Sequence, residues 1–581
     1  MKPPKGLPFS TTIKGNNMKK LSQTRYPKSF LCTILLLLNF LFINNIYSEV
    51  IEVGPTTANL IDAIITANEN GEDDTLILTN ENGEDDIFIL SENQGYEFNA
   101  AYSGDQDGYG PIALPAITSN ITIEGNGAKI TRSAGNFRFF YVKKGCFFTL
   151  KSLTISNGNF KGGNGGNGTK YGYFMGPEVA CGGGASGMGG AILNCGNLIL
   201  EGVTMDGNIA EGGDGGFNGV KIDIPPGGAG GGGIGGHGNY GSKANHGGNG
   251  GGINRGNGGS GTEANGDDGG QGGGGGGGAN PKQGYSRTGG NGGKGGWGAG
   301  GGGGGLGGPD GIVGDFYGNA GLGGNGGFGG GGGGSARQLN GIFAAVIRKG
   351  GTAGFGGGNG GNGSFLFVVG GSGGGGGGAG LGGAIFNKSG HIEIINSTFT
   401  GNQSVGGKGG KTDLYNHGKD GLGYGSALFN YQGTVNITNS TIAHNIGNAV
   451  FNYLATMPAP ETPSQMKLRN SIIASNAGGD LTNYRDNPIF KTANDRCIVT
   501  SLDTATCGIP YNSTQPKIAD MLQDNGGPTH TIALLNGDIY AIDGANKNYA
   551  PDFDQRLYVR EKTSTNPPDI GAYEYNAADA D

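Results

Sequence analysis

The chain has 581 residues, and glycine supplies 135 of them, about three times its ordinary share of ~7%. Glycine occurs in runs and pairs without a strict Gly-X-Y register, which excludes collagen. Only 14% of the residues are charged, the formal net charge is −8, and the chain lacks a basic stripe of useful length. We therefore expect no nucleic-acid partner, because proteins that neutralise phosphates usually carry such a stripe.

An export signal is predicted over residues 1–48, with Met18 as a possible true start. Basic residues follow Met18, and an apolar run then extends from Phe30 to Ile43. This run is shorter than the ~20 residues that a membrane-spanning helix needs, which favours a signal peptide over an uncleaved anchor. Small Ser48 suits the cleavage position, so we predict a secreted, extracellular or outer-membrane-surface protein without a transmembrane span in its mature chain.

A helix and two acidic turns are predicted next. Thr57 precedes ANLIDAIITAN, whose apolar residues share one helical face, so we predict an amphipathic cap helix with Thr57 as its N-cap. The sequence ENGEDD occurs at 69–74 and again at 81–86, each time before an apolar strand. The two turns either share a calcium ion or are simply solvated. We favour solvated turns because a complete calcium-loop spacing is missing, and we predict no metal site and no cofactor.

Four later segments can be aligned as copies of one repeat. Each copy has a short apolar strand, a turn, a second strand with alternating apolar residues, and a turn that ends in Asn. The first strand also ends in Asn, a residue that bonds to nearby backbone and tolerates left-handed conformations. We predict a structural amide ladder at the turns, formed by Asn194, Asn387, Asn430 and Asn452.

A repeat of about 20 to 25 residues made of strands and turns buries its apolar face only by stacking on further copies. The predicted fold is therefore all-β, a right-handed parallel β-helix with an N-terminal cap helix and a long glycine-rich insertion. We predict the cap and first coils at 49–208, the insertion at 209–381, further coils at 382–480, and the C-terminal coils and chain end at 481–581.

Part of the insertion has a three-residue period, which is the period of a polyproline-II helix. Rods of this kind would project larger side chains from one edge and associate through backbone hydrogen bonds. The alternative is a flexible, solvated tether, because glycine loses the most entropy on ordering, and both interpretations stay open. The larger residues that follow the period are Asn291, Lys294, Trp297, Leu306, Pro309, Leu322, Asn325 and Phe328.

Cysteine pairing is predicted from spacing and compartment. Cys497 and Cys507 enclose a short loop in a turn-rich region, which makes them a possible disulfide in an oxidising compartment. Cys181 and Cys195 are a second candidate pair. Cys146 is predicted to be a small buried apolar residue.

Two sets of motifs give the chain a family resemblance. GGAI at 189–192 and 382–385, with FTGN at 399–402, resembles the polymorphic outer-membrane protein repeat. The C-terminal stretch is similar to the bacterial choice-of-anchor Q surface proteins. This resemblance implies a pectate-lyase-like β-helix displayed at the cell surface, without a characterised activity for most members. The motifs that carry it, in order, are DNGGPTHT (524–531), AID (541–543), DQR (554–556) and DIGAYE (569–574).

The charged residues of the C-terminal motifs are predicted to be structural. We expect Asp554, Arg556, Asp569 and Glu574 to form an ion-pair network that closes the last coils.

The predicted function is adhesive or structural, with glycans, host or neighbouring-cell surfaces, or further copies of the chain as partners. The alternative is a polysaccharide lyase or glycoside hydrolase of the same fold, which needs paired carboxylates on an open groove. Pectin-type glycosidases carry Asp-Asp before Gly-His-Gly, but 236–238 and 267–268 have these motifs in the reverse order, inside the insertion. We therefore predict no catalytic residues and assign no binding residues.

Overall fold

A computed structural model describes most of the chain after the predicted signal. Among the described residues, no helix has the length and apolar content that a membrane crossing requires. Most of the predicted signal, the second ENGEDD motif and Cys507 lie outside the described residues. The described ranges are 48–78, 87–91, 108–170, 179–221, 227–241, 246–260, 264–280, 288–306, 319–336, 346–366, 369–412, 416–454, 465–484, 489–490, 495–503 and 512–577.

The described residues are mostly β-structure, with one helix, Thr57–Asn70. Three long sheets hold most strands, and every pairing within them is parallel. The nine-stranded sheet contains Val50–Val53, Asp73–Leu78, Asn120–Glu124, Phe147–Lys151, Asn197–Glu201, His391–Ile395, Thr434–Thr438, Gln465–Arg469 and Ile489–Phe490. The eight-stranded sheet contains Ile87–Leu90, Lys129–Arg132, Thr154–Ser156, Thr204–Asp206, Thr398–Thr400, Thr441–Ala443, Ile472–Ala474 and Ile498–Val499.

The third long sheet has seven strands, and the remaining strands form small sheets. The small sheets comprise one two-stranded and three three-stranded sheets. The two-stranded sheet and two of the three-stranded sheets are parallel, and the third three-stranded sheet is antiparallel. The seven-stranded sheet contains Phe140–Val142, Ile192–Asn194, Ile385–Lys388, Leu428–Tyr431, Val450–Tyr453, Leu481–Tyr484 and Leu502–Asp503. The small sheets are Asn159–Lys161 with Ile209–Glu211 and Gln403–Val405; Gly187–Met188 with Gly380–Leu381 and Gly423–Tyr424; Gly168–Lys170 with Asn218–Lys221; and Val346–Arg348 with Gly363–Leu366 and Val369–Gly371.

The chain passes through the long sheets in a fixed order. From Phe140 onwards it enters the seven-stranded, then the nine-stranded, then the eight-stranded sheet, and repeats this sequence. The two GGAI segments are in register, with Ile192 opposite Ile385, although the glycine-rich insertion lies between them in sequence. Parallel neighbours need such crossovers, because their backbones run in the same direction.

The long sheets enclose one apolar core. Alternate residues of each strand point inward, as period-2 patterning requires, and stack on equivalent residues of neighbouring strands. In the nine-stranded sheet, one inward file contains Ile121, Phe148, Leu198, Ile392, Val435 and Met466, all of them buried.

The helix Thr57–Asn70 packs its apolar face against this core, through Leu60 and Ile64 among others. The N-cap is Thr56 and not the predicted Thr57: the Thr56 backbone is extended, and its hydroxyl oxygen accepts a hydrogen bond from the Asn59 N–H at 3.2 Å. Thr57 is already helical, and its hydroxyl donates to the Ile89 carbonyl at 3.0 Å. Both residues are threonine, so the sequence alone did not distinguish them.

The insertion begins and ends inside paired strands. Strand Ile209–Glu211 pairs with Gln403–Val405, and Gly187–Met188 pairs with Gly380–Leu381. The predicted boundaries of the insertion, at 209 and 381, therefore each fall within a paired strand.

Candidate functional site

The glycine-rich segments hydrogen-bond to one another through their backbones, instead of forming a solvated tether. For example, Gly300 donates its N–H to the Gly232 carbonyl at 2.9 Å, and Gly331 donates to Gly184 at 2.8 Å. Segments outside the predicted insertion take part as well, because Gly163 donates to Gly233 at 3.0 Å. We call these segments together the glycine-rich body: 162–168, 179–190, 212–218, 227–241, 246–260, 264–280, 288–306, 319–336, 348–363, 371–380, 406–412 and 416–423.

Glycine is required in this body because neighbouring backbones lie too close for a side chain. A Cβ atom at Gly331 would lie 2.1 Å from the Gly376 carbonyl oxygen, and one at Gly300 would lie 2.0 Å from that of Gly183. Real Cβ atoms essentially never approach other atoms this closely. The glycine content thus follows from packing, in addition to conformational freedom.

The three-residue period belongs to hairpins and not to single straight rods. The chain reverses at Trp297–Gly298 and again at Phe328–Gly329, where the glycines have φ of 82° and 75°. In each hairpin the first arm is partly exposed and the second arm is buried. Leu306 is therefore 5% exposed, inside the body, and not on the predicted outer edge with Asn291. Pro309 lies outside the described residues.

Exposed residues of the outer arms form two rows across neighbouring hairpins. Asn265 accepts at Oδ1 from the Asn291 N–H at 2.7 Å, and Asn291 accepts likewise from Leu322 at 2.8 Å. In the second row, Asp268 accepts from the Lys294 N–H at 2.7 Å. These bonds fix the spacing of the residues, which we call the outward array: Asn265, Asp268, Asn291, Lys294, Leu322, Asn325 and Thr352.

Aromatic residues at the hairpin turns join the glycine-rich body to the seven-stranded sheet. Trp297 stacks on Phe328 with ring centroids 5.7 Å apart, and Phe328 stacks on Phe355 at 5.6 Å. These turn residues pack edge-on or tilted against the stacked rings of Phe386, Phe429, Phe451, Tyr431, Tyr453 and Tyr484 on the sheet. The sheet is thus buried on both faces, which fixes the orientation of the body.

Asparagine side chains form two ladders along the stack of strands. In the first, Asn194 donates to Asn387, Asn387 to Asn430, and Asn430 to Asn452, each at 2.8 Å, and all four are buried. The ladder continues to Asn483 at 2.9 Å. The left-handed backbone conformations expected for these residues occur instead at other asparagines, among them Asn396, Asn439 and Asn470.

A second ladder was not predicted, although its signal was present. It joins the asparagines that end the second turn of each repeat, and its Nδ2···Oδ1 distances are each 2.9 Å. Its members are Asn208, Asn402, Asn445 and Asn476.

The C-terminal motifs dock on the outer face of the eight-stranded sheet. Thr204 and Thr398 lie side by side there, and Gln555 of the DQR motif bonds to both hydroxyls, at 2.8 and 2.6 Å. The Ala572 N–H of the DIGAYE motif donates to the Thr441 hydroxyl at 3.0 Å. These motif residues therefore hold the C-terminal segment 512–577 against the strands.

The four predicted ion-pair residues lie together, but a fifth residue completes the pairing. Arg556 donates to Asp554 Oδ2 at 2.7 Å, and its guanidinium lies over the ring of Tyr573. Glu574 pairs instead with Arg560, at 2.5 Å, a residue outside the predicted network.

Asp569 makes no ion pair in the described part of the chain and accepts backbone N–H groups, from Asp543 at 2.7 Å and from Tyr575 at 2.5 Å. Burial raises the pKa of Asp569 to about 6 and that of Glu574 to about 7.

An open cleft of about 360 Å³ lies between the nine-stranded sheet and the C-terminal segment. Its charged lining residues are Lys151, Glu201, Asp552 and Asp554. Lys151 pairs with Glu124 at 3.1 Å, and Asp552 pairs with Lys562 at 2.7 Å, so both charges are already balanced. Asp554 pairs with Arg556, so of these four lining residues Glu201 is the one without an ion-pair partner within the described ranges.

The predicted cysteine pairs are placed as follows. Cys497 is buried at the end of the apolar core that the long sheets enclose, which we call the strand core. Its predicted partner Cys507 is not among the described residues. Cys181 is buried in the glycine-rich body, whereas Cys195 packs at the aromatic contacts. Cys146 is partly buried, and this burial raises the pKa of its thiol.

Comparison with known proteins identifies no relative: no family model, curated protein or solved structure matches the chain. The resemblance to polymorphic outer-membrane and choice-of-anchor Q proteins therefore stays a prediction.

Proposed function

We propose that the long sheets are the faces of one right-handed parallel β-helix. The support is the fixed order in which the chain enters the three parallel sheets, together with stacked inward files that continue from strand to strand. Right-handed crossovers are the rule for parallel strands, at ≈ 98% of cases. This is the fold that the family resemblance implies.

We further propose that the protein is exported and binds glycans or other repetitive polymers of cell surfaces, without catalysing a reaction. The observation that carries this proposal is the outward array on the glycine-rich body. Its residues are spaced by the hairpins in one direction and by lateral hydrogen bonds in the other. A lattice of regularly spaced polar groups complements a ligand that itself repeats, as a polysaccharide does.

The chemistry of the array favours uncharged ligands. Three of its seven residues are asparagines, one is threonine, and the charges of Asp268 and Lys294 cancel. Amide and hydroxyl groups donate and accept hydrogen bonds, which suits sugar hydroxyls. Because the backbone beneath is fully packed, the array is ordered before binding, and this lowers the entropic cost of association.

The enzyme alternative rests on the cleft that Lys151, Glu201 and Asp552 line. Glycoside hydrolases need two carboxyl groups on opposite sides of the bond that is cleaved. Asp552, Asp554 and Lys151 already have ion-pair partners, which leaves Glu201 as the acid of the cleft lining without one in the described ranges. This arrangement favours the binding proposal.

The test is retention of the whole exported chain on arrays of immobilised polysaccharides and extracellular-matrix proteins. The double variant Lys294→Ala/Thr352→Ala removes two exposed array side chains and should weaken binding about tenfold, as expected for the loss of one or two hydrogen bonds. The matched control is Thr434→Ala/Lys467→Ala, on the nine-stranded sheet, which should bind as the unaltered chain does. Equal binding by all three proteins would refute the array as the binding surface.

The enzyme alternative has its own readout. The unaltered chain and the Glu201→Gln variant are incubated with the polysaccharides that are retained, and new reducing ends or unsaturated products are measured. Product that depends on Glu201 would replace the binding proposal with a catalytic one.

A further inference from the structure

One acidic residue occupies an inward position of the strand core. Asp74 lies opposite Ile121 in the nine-stranded sheet, so it belongs to the same file as Phe148 and Leu198. Its side chain points inward, as those of Leu76 and Leu78 do in the same strand, and Asp74 is only 2% exposed. A buried carboxylate at an apolar position costs free energy unless a partner compensates it.

The partners that the described residues offer do not compensate this charge. Asp74 Oδ1 accepts a hydrogen bond from the Glu49 N–H at 3.3 Å, whereas Oδ2 is buried and has no hydrogen-bond partner in the described part of the chain. Two further acids adjoin it, because carboxylate oxygens of Glu49, Glu72 and Asp74 all lie within 4.8 Å of one another. Three like charges at this separation repel one another.

We propose that Glu49, Glu72 and Asp74 bind a calcium ion. Calcium takes oxygen ligands at 2.3–2.6 Å, so oxygens on opposite sides of the ion are about 4.6 to 5.2 Å apart. Oxygens within 4.8 Å of one another can all contact one such ion. Magnesium is usually held by one or two carboxylates, so a set of three favours calcium. The donors are all carboxylates, without the nitrogen or sulfur ligands that zinc prefers.

The surroundings give an ion access and room for water ligands. Glu49 is exposed and Glu72 is partly exposed, so solvent reaches the carboxylate cluster from their side. Calcium needs six to eight ligands, so water would supply those that the three carboxylates do not.

The position of the site explains what the ion would do. Glu49 precedes the edge strand Val50–Val53, and Glu72 and Asp74 follow the end of the helix Thr57–Asn70. A bound ion would therefore fasten the first strand and the helix to the strand core. The inference is independent of the glycan-binding proposal, because the outward array lies on the glycine-rich body and the three acids lie at the first strands.

In the experiment, calcium is titrated into the chelator-treated exported chain. Isothermal calorimetry measures the binding, and thermal unfolding is measured with and without calcium. We expect a dissociation constant of about 0.1 to 1 mM, as in extracellular calcium modules, and a higher unfolding temperature with calcium. Asp74→Asn should weaken binding at least tenfold and, because it removes the buried charge, should unfold at a higher temperature than the calcium-free unaltered chain.

The control is Asp73→Asn, which changes the neighbouring exposed acid and should leave calcium binding unaltered. Glu72→Gln is the second variant if Asp74→Asn does not fold, and it too should weaken binding. The proposal fails if calcium produces no binding heat, or if both variants bind as the unaltered chain does. If the chain is cleaved after Ser48, the α-ammonium group of Glu49 is a rival source of positive charge beside Asp74. This rival predicts the same unfolding temperature with and without calcium.

Discussion

The strand core and the glycine-rich body are both tightly packed, but they reach that state by opposite means. In the strand core, stacked files such as Leu198 and Ile392 fill the interior with large side chains. In the glycine-rich body, the absence of side chains lets backbones approach until a Cβ atom at Gly331 would lie 2.1 Å from a carbonyl oxygen. Stability therefore depends on side-chain volume in one region and on backbone hydrogen bonds in the other.

The largest effect should come from removing a side chain in the strand core. Phe399 is fully buried between Met205 and Ile442 of the neighbouring strands. Phe399→Ala should lower the free energy of unfolding by about 3–5 kcal/mol, because it leaves a cavity that neighbours fill only in part. Denaturant unfolding measures this loss, and a loss below about 1 kcal/mol would contradict side-chain filling of the core.

Adding a side chain should have the next largest effect, in the glycine-rich body. Gly331 has no positive φ, so Gly331→Ala tests close packing alone. We expect a loss of roughly 1–3 kcal/mol from overpacking. Thr352→Ala, which shortens an exposed residue of the same body, should change stability by no more than about 0.5 kcal/mol. Equal stability of the two variants would show that the backbones are not in close contact.

The asparagine ladders combine features of both regions, because buried side chains there stabilise the fold through hydrogen bonds. Asn430→Ala removes the partner of both Asn387 and Asn452, and the buried amides left behind should cost about 1–2 kcal/mol. The control Asn436→Ala alters a half-buried asparagine outside the ladders. Chemical denaturation compares the two, and the ladder is dispensable if the control is destabilised as much.

The last prediction concerns pH and the C-terminal segment. Burial raises the pKa of Glu574 from 4.5 to about 7 and that of Asp569 from 3.8 to about 6. The folded chain therefore holds protons that the unfolded chain has released, and stability falls as the pH rises from about 4 to 7.

Because one pKa unit corresponds to about 1.4 kcal/mol, these two shifts give a loss of up to several kcal/mol over this interval. The denaturant midpoint should be lower at pH 7.5 than at pH 5, and Glu574→Gln should flatten this dependence. The same slope in both proteins would assign the titration to other groups.

Local sequence determined the elements of the strand core. Alternating apolar residues, the asparagines at fixed positions and the apolar face of the helix each follow from short-range periodicity, and strands and helix lie where these patterns indicate. The same patterns placed Asn194 opposite Asn387, across the whole insertion. The N-cap shifted by one residue because Thr56 and Thr57 have equal capping chemistry.

Only the tertiary structure decided how the glycines pack, which side chains pair and where charges are buried. Glycine carries no side chain to indicate a face, so the hairpin turns at Trp297 and Phe328 became recognisable only beside the aromatic rings on which they pack. The pairing of Arg560 with Glu574 likewise depends on a contact that the local sequence pattern does not specify. The same holds for the burial of Asp74 beside a neighbouring strand. Periodicity specifies faces along one segment, whereas contacts between segments exist only once the chain has folded.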